Sequence, residues 1–103
     1  MTSEEFQKVL DDTLAQVNRV LGSKAVEYAT ADRLHNFKIA ALLESKTPEK
    51  ALTGMMAKHT VSIYDMVQSE EDFPLEKWDE KIVDHINYLI LLKALIVEKD
   101  DLR

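Results

Sequence analysis

The chain has no cysteine, two glycines and two prolines in 103 residues. Without cysteine there are no disulfides, thiolate zinc sites or cysteine nucleophiles, and the composition fits a reducing, cytoplasmic setting. So little glycine and proline excludes a turn-rich all-β protein and favours helices. Positive charge is also scarce: 13 Lys+Arg stand against 19 Asp+Glu, a formal charge of −6. That balance argues against an extended nucleic-acid surface, which needs basic residues clustered on one face. The longest apolar stretch, Ile82 to Val97, is interrupted by Asp84, His85, Asn87 and Lys93. It falls short of a span of about 18 residues, so no membrane helix is expected. The start, Met1-Thr2-Ser3-Glu4-Glu5, is acidic where a signal peptide would be basic and then apolar. Gly-rich phosphate loops, nucleophile elbows and kinase signatures do not occur. The three histidines, at 35, 59 and 85, fall on different expected elements, which speaks against a zinc enzyme. What is present is 46% hydrophobic residues, enough for one helical domain spanning 1–103.

Four helices are legible. Thr2 or Ser3 caps the first, with Glu5 placed as in a capping box, and Phe6, Val9, Leu10, Leu14, Val17, Val20 and Leu21 follow on one stripe. Gly22-Ser23 is expected to end it. Lys24 to Thr30 then reads as a short turn or irregular link, before a second helix from Arg33 to about Glu44, capped by Thr30 or Asp32. Its apolar side is Leu34, Phe37, Ala41 and Leu42 or Ile39. Thr47-Pro48 opens a third helix, running to about Gln68, because Thr offers an N-cap oxygen and proline tolerates the first helical position. The acidic connection Ser69 to Pro74 precedes a fourth helix, Leu75 to about Lys99, with Trp78 anchored against Phe73 or a neighbouring helix. The expected architecture is all-α, an antiparallel four-helix bundle. Apolar residues on nearly every side of Tyr88 to Val97 imply a second buried face, hence a homo-oligomer.

Several polar residues interrupt the apolar pattern. On the third helix Lys58, His59, Ser62 and Asp65 stand within Met55 to Val67, and on the fourth Glu80, Asp84, Asn87 and Tyr88 recur at spacings of four, three and four. If these helices pack together, Asp65, Glu80 and Asp84 approach one another at mid-bundle, where paired carboxylates need a cation. The same residues also suit an ion-pair network in which Lys58 and His59 neutralise the acids. On the second helix Asp32, Arg33 and Asn36 offer either a ligand site or a solvated helix start. Arg33, one of three arginines, can hold a phosphate bidentately. Tyr28 can stack on a base or simply pack. Glu70-Glu71-Asp72 reads as a solvated loop, and Met55, Met56 and Met66 as core filler.

The segment Glu80-Lys81-Ile82-Val83-Asp84-His85-Ile86-Asn87-Tyr88-Leu89-Ile90-Leu91-Leu92 resembles the final metal-binding helix of the MazG-like all-α nucleotide pyrophosphatases. That family pairs Glu-x-x-Asp on this helix with Glu-x-x-Glu on an earlier one. Its fold implies an oligomeric helical bundle whose carboxylates hold Mg²⁺ against a nucleoside triphosphate. Asp84 and Tyr88 match. Lys81 stands where the family has Glu, leaving Glu80 one position early, and His59-Thr60-Val61-Ser62 replaces Glu-x-x-Glu. From about residue 24 the wider pattern, Glu27-Tyr28-Ala29, Arg33-Leu34-His35-Asn36-Phe37, Met56-Ala57-Lys58-His59, Ser62 with Asp65, and Asp84 with Asn87-Tyr88, also resembles small phage and prophage proteins and, more distantly, phage nucleotide-modification-associated helical domains.

Three functional expectations follow. The first is a helical protein that binds a nucleotide or other small phosphorylated ligand without efficient catalysis. In it Arg33, Lys58 and His59 are ligand-binding residues together with Asn36, Asn87 and Tyr88; Arg33 and Lys58 meet phosphate, and Asn36, Asn87 or Tyr88 meets sugar or base. The second is a divergent Mg²⁺-dependent pyrophosphohydrolase with Asp65, Glu80 and Asp84 as metal ligands. The third is an acidic inhibitor of a host defence or nucleic-acid-binding protein, for which no residue stands out.

Overall fold

The computed structural model describes the backbone of residues 1–27 and 32–102, and side chains over 1–22 and 32–102. Its helices are α1 (Ser3–Glu27), α2 (His35–Glu44), α3 (Pro48–Gln68) and α4 (Leu75–Asp101), with no strand among the described residues. The Glu5 amide donates to Thr2 Oγ1 at 3.0 Å and the Thr2 hydroxyl to Glu5 Oε1 at 3.1 Å, closing the start of α1. Lys50 N–H donates to Thr47 Oγ1 at 3.2 Å, with Pro48 at the first turn of α3. Phe73 and Trp78 meet edge to face at 6.1 Å where α4 begins. No helix is long and apolar enough to cross a membrane among the described residues.

Two boundaries differ from the sequence reading. Gly22-Ser23 does not end α1, which continues to Glu27. A helical glycine costs only about 1 kcal/mol relative to alanine, and no glycine of this chain takes a positive φ. α2 begins at His35 rather than Arg33, because Asp32 Oδ1 accepts from Leu34 N–H at 2.9 Å and turns the preceding residues out of the helix. Tyr28 and Thr30 lie outside the described residues, as do the side chains of Lys24 and Glu27.

α4 packs against α3 and α1, and α2 packs against α3. α3 and α4 are antiparallel: Thr60 meets His85, while Leu52 meets Leu95 further along. α1 instead runs in the same direction as α4. Gln16 Nε2 reaches Asp79 Oδ2 at 3.4 Å, and Leu21 shares a cavity with Asn87 and Leu91. The simple up-and-down order expected from short connections therefore does not describe α1.

The core is Leu34, Phe37, Leu52 and Leu95, with Met55, Tyr88, Leu91, Leu92 and Ala94 packed around it. Phe37 and Ala41 are buried on α2 as their spacing requires, but Leu42 and Ile39 are exposed. Met66 is buried, and Met55 and Met56 are half-buried. Glu70-Glu71-Asp72 is exposed. α2 is also tied to α4 by charge: Lys38 Nζ lies 2.7 Å from Asp32 Oδ2 and 2.6 Å from Glu98 Oε1. The Lys38 hydrogen bond, then the Leu34 amide, holds the Asp32 carboxyl below its usual range, and Asp32 followed by Glu98 raises Lys38.

Leu52, at 0% exposure, is the best-buried side chain of the core. Leu52→Ala is expected to cost about 2–5 kcal/mol in chemical denaturation. The charged clamp has a pH signature. Asp32's stabilisation exists above the ordinary carboxylate pKa and is lost as pH falls through its lowered folded value; that of Lys38 exists below the ordinary lysine pKa and is lost as pH rises through its raised one. Lys38→Met should therefore lower the melting temperature at neutral pH, with a deficit that closes in strong acid. A deficit constant from neutral to acid pH would show that the clamp contributes through packing alone.

Candidate functional site

A cavity of about 200 Å³ opens where the four helices meet, lined by Leu21 of α1, Arg33, Asn36 and Phe37 at and near the start of α2, Met55 and His59 of α3, and Asp84, Asn87, Tyr88 and Leu91 of α4. The helical repeat explains the selection. On α4, residues 84, 87, 88 and 91 are spaced three and four apart and share one face, as do 55 and 59 on α3. Arg33 arrives because the Asp32 turn places it just ahead of α2, above Phe37.

Five of the residues singled out as ligand contacts, Arg33, Asn36, His59, Asn87 and Tyr88, thus surround one space together with Asp84. Lys58 does not. Successive helical residues point about 100° apart, so with His59 turned inward Lys58 faces the other side of α3. There it lines an open cleft with Ser62, Asp65, Lys77 and Lys81. The stripe His59, Ser62, Asp65 is split for the same reason, since two steps of three residues rotate by about 120°. Glu80 faces a groove against α1, beside Gln16, Arg19 and Asp84. Glu80 and Asp84 therefore share the groove against α1 while Asp65 lines a different surface, and no group of three or more His, Asp or Glu is placed to hold a metal ion among the described residues.

Within the cavity, the rings of His59 and Tyr88 lie 4.9 Å apart at 44°, forming a tilted aromatic wall. His85 is engaged elsewhere. Its Nε2 shares a hydrogen bond of 2.8 Å with the Thr60 hydroxyl, which also lies 3.3 Å from the Met56 carbonyl. Asn87 has a different status. It is 4% exposed, and neither Nδ2 nor Oδ1 finds a hydrogen-bond partner among the described residues. An unpaired buried polar group costs about 1–3 kcal/mol, and Asn87 is among the residues that line the cavity, with its Nδ2 and Oδ1 both buried.

The apolar half of this site was not singled out by sequence. Phe37, Met55 and Leu91 read as ordinary core positions, and Leu21 as the last residue of a stripe. Only their position opposite the polar residues makes them a wall. The burial of Asn87 was likewise implicit in an apolar helix with one amide in its middle.

If the amide is kept for a ligand, removing it should relieve the free protein. Asn87→Leu is expected to leave melting temperature unchanged or raise it, because replacing an unpaired buried amide with an apolar group of similar shape removes a desolvation cost. A loss of more than about 2 kcal/mol would instead mark Asn87 as part of the internal framework.

No family model, no curated protein and no solved structure matches the chain. The functional reading therefore rests on the cavity itself.

Proposed function

We propose that the chain binds a nucleotide or a nucleotide-derived small molecule in the cavity between its helices, without efficient catalysis. The observation that carries this reading is the Asn87 amide, 4% exposed and with neither polar atom paired among the described residues, at the wall of a cavity that also carries Arg33 and an aromatic pair. An amide offering one donor and one acceptor side by side complements the edge of a nucleobase, which offers the reciprocal pair. Tyr88 and His59 supply ring faces for such a base. Arg33 supplies a fork of donors for phosphate.

Size limits what enters. A cavity of about 150 Å³ is known to accept a benzene ring, so about 200 Å³ takes one ring-sized group and leaves sugar and phosphate toward the rim. Lys58 belongs to the neighbouring cleft, and phosphate recognition in this reading falls to Arg33 alone.

The Mg²⁺-dependent pyrophosphohydrolase reading has less support. A metal ion that binds a triphosphate draws on several hard oxygen ligands, and among the described residues only Asp84 brings a carboxylate to the cavity. The described residues of the cavity do not supply such a ligand set. An acidic inhibitor of a host protein fits the charge of −6, but nothing in the cavity is explained by it. The resemblance of residues 80–92 to nucleotide pyrophosphatases, and of the chain from about residue 24 to phage nucleotide-modification-associated domains, favours the same ligand class as the cavity.

A thermal-shift series over nucleosides, mono- and triphosphates, with and without Mg²⁺, tests the reading. At a hundredfold excess over Kd the bound ligand should stabilise the chain by about 2.7 kcal/mol, with no pyrophosphate released. Arg33→Ala should weaken the nucleotide by roughly 10- to 100-fold, the worth of a charge-assisted hydrogen bond, while leaving the nucleoside unaffected. Stabilisation by none of these ligands would refute the proposal, and Mg²⁺-dependent pyrophosphate release lost in Asp84→Ala would replace it with the enzyme.

A further inference from the structure

α1 is only half packed. Gln16 is level with Asp79, the fifth residue of α4, and the two helices run the same way. At 1.5 Å per residue the first nine or so residues of α1 therefore project about 14 Å past the start of α4. The apolar stripe nevertheless continues along the projection: Phe6, Val9, Leu10 and Leu14 lie on the face that buries Val17, yet are between 41% and 60% exposed. Isolated helices shorter than about 12–15 residues are marginal in water, so a projecting half-helix with an apolar face needs cover.

α4 has a second open face. Ile82, Leu89 and Ile96 recur every seven residues, with Ile90 and Val97 beside them, on the side of α4 turned away from Asn87 and Leu95. All five are between 41% and 49% exposed. A sevenfold apolar repeat is the pattern of a helix seam.

The area says what covers these faces. A folded monomer of this mass is expected to expose about 5,900 Å², whereas this chain exposes 7686 Å². Its radius of gyration, 16.0 Å, also exceeds the roughly 13 Å of a closed domain of this length. The excess, roughly 1,800 Å², matches the 1,000–2,500 Å² that each partner contributes to a permanent homodimer. Charge disfavours a lipid surface as the occupant. The polar side of the projection carries Glu4, Glu5, Asp11 and Asp12 against Lys8, and anionic headgroups would repel it.

We propose that the projecting half of α1 and the outer face of α4 are both buried against a second copy of this chain in a two-fold dimer. The interface is independent of what the cavity binds.

Sedimentation velocity on the full chain at micromolar concentration tests it. The expected mass is twice 11.8 kDa. Leu10→Glu with Leu14→Glu, and separately Leu89→Glu with Ile96→Glu, should each return the mass to one chain. The α4 pair should keep its helical circular dichroism, since those side chains are exposed within one chain, and the milder Leu89→Gln should weaken dimerisation with the fold intact. A wild-type monomer overturns the proposal, including one that binds anionic vesicles. A dimer indifferent to either pair overturns it for that face.

Discussion

A 27-residue helix with apolar side chains around most of its circumference has to be surrounded, and the other three helices surround α4 only in part. α3 covers one side through Leu52 and Leu95, α1 covers another beside Val83, and α2 reaches it through the core and the Lys38–Glu98 pair. Each neighbour is placed by what α4 offers it. Where α1, α2 and α3 converge on α4 they leave a cavity rather than a continuous core, and α4 puts Asn87 into it. On the remaining side α4 keeps Leu89 and Ile96 half in water. The cavity and the open face thus have one origin, a central helix with more to bury than its own chain can cover.

Asn87 is the sharpest departure from local consistency. At the same position a leucine would join Val83, Leu91 and Leu95 in apolar packing and remove the need for a partner. A buried amide with no partner among the described residues lowers stability, and departures of this kind are expected at functional sites. Around it the chain supplies graded chemistry: Phe37, Met55 and Leu91 form an apolar floor, His59 and Tyr88 two ring faces, and Arg33, Asn36 and Asp84 polar groups. Apolar and polar groups thus face one space, and small-molecule sites likewise combine an apolar wall with placed polar groups.

Much of the secondary structure was legible because its signals are local. Thr2 with Glu5 and Thr47-Pro48 marked helix starts correctly, since capping chemistry depends on residues three or four apart, and the connection ending at Pro74 marked the last. The end of α1 was not legible, because Gly22 is as acceptable within a helix as after one when nothing forces a positive φ. The direction of α1 relative to α4 depends on contacts such as Gln16 with Asp79, 63 residues apart. For the site, the polar residues could be named from their interruption of apolar stripes, but not sorted. Lys58 and Asp65 part from His59 by the helical repeat itself, but which of these faces turns to the cavity only packing fixes. The cavity's apolar floor had no signal at all, since Phe37 and Met55 look the same in a core as in a ligand wall.

The central claim is that the Asn87 amide is held for a ligand. The side-chain Nδ2–H₂ resonances of Asn87, followed by ¹H–¹⁵N NMR while a nucleotide is titrated, test it most directly. The account predicts that these two resonances shift on binding and show hydrogen bonding to the ligand, with Arg33 and Tyr88 responding alongside. Saturable binding that leaves the Asn87 amide unmoved would contradict it.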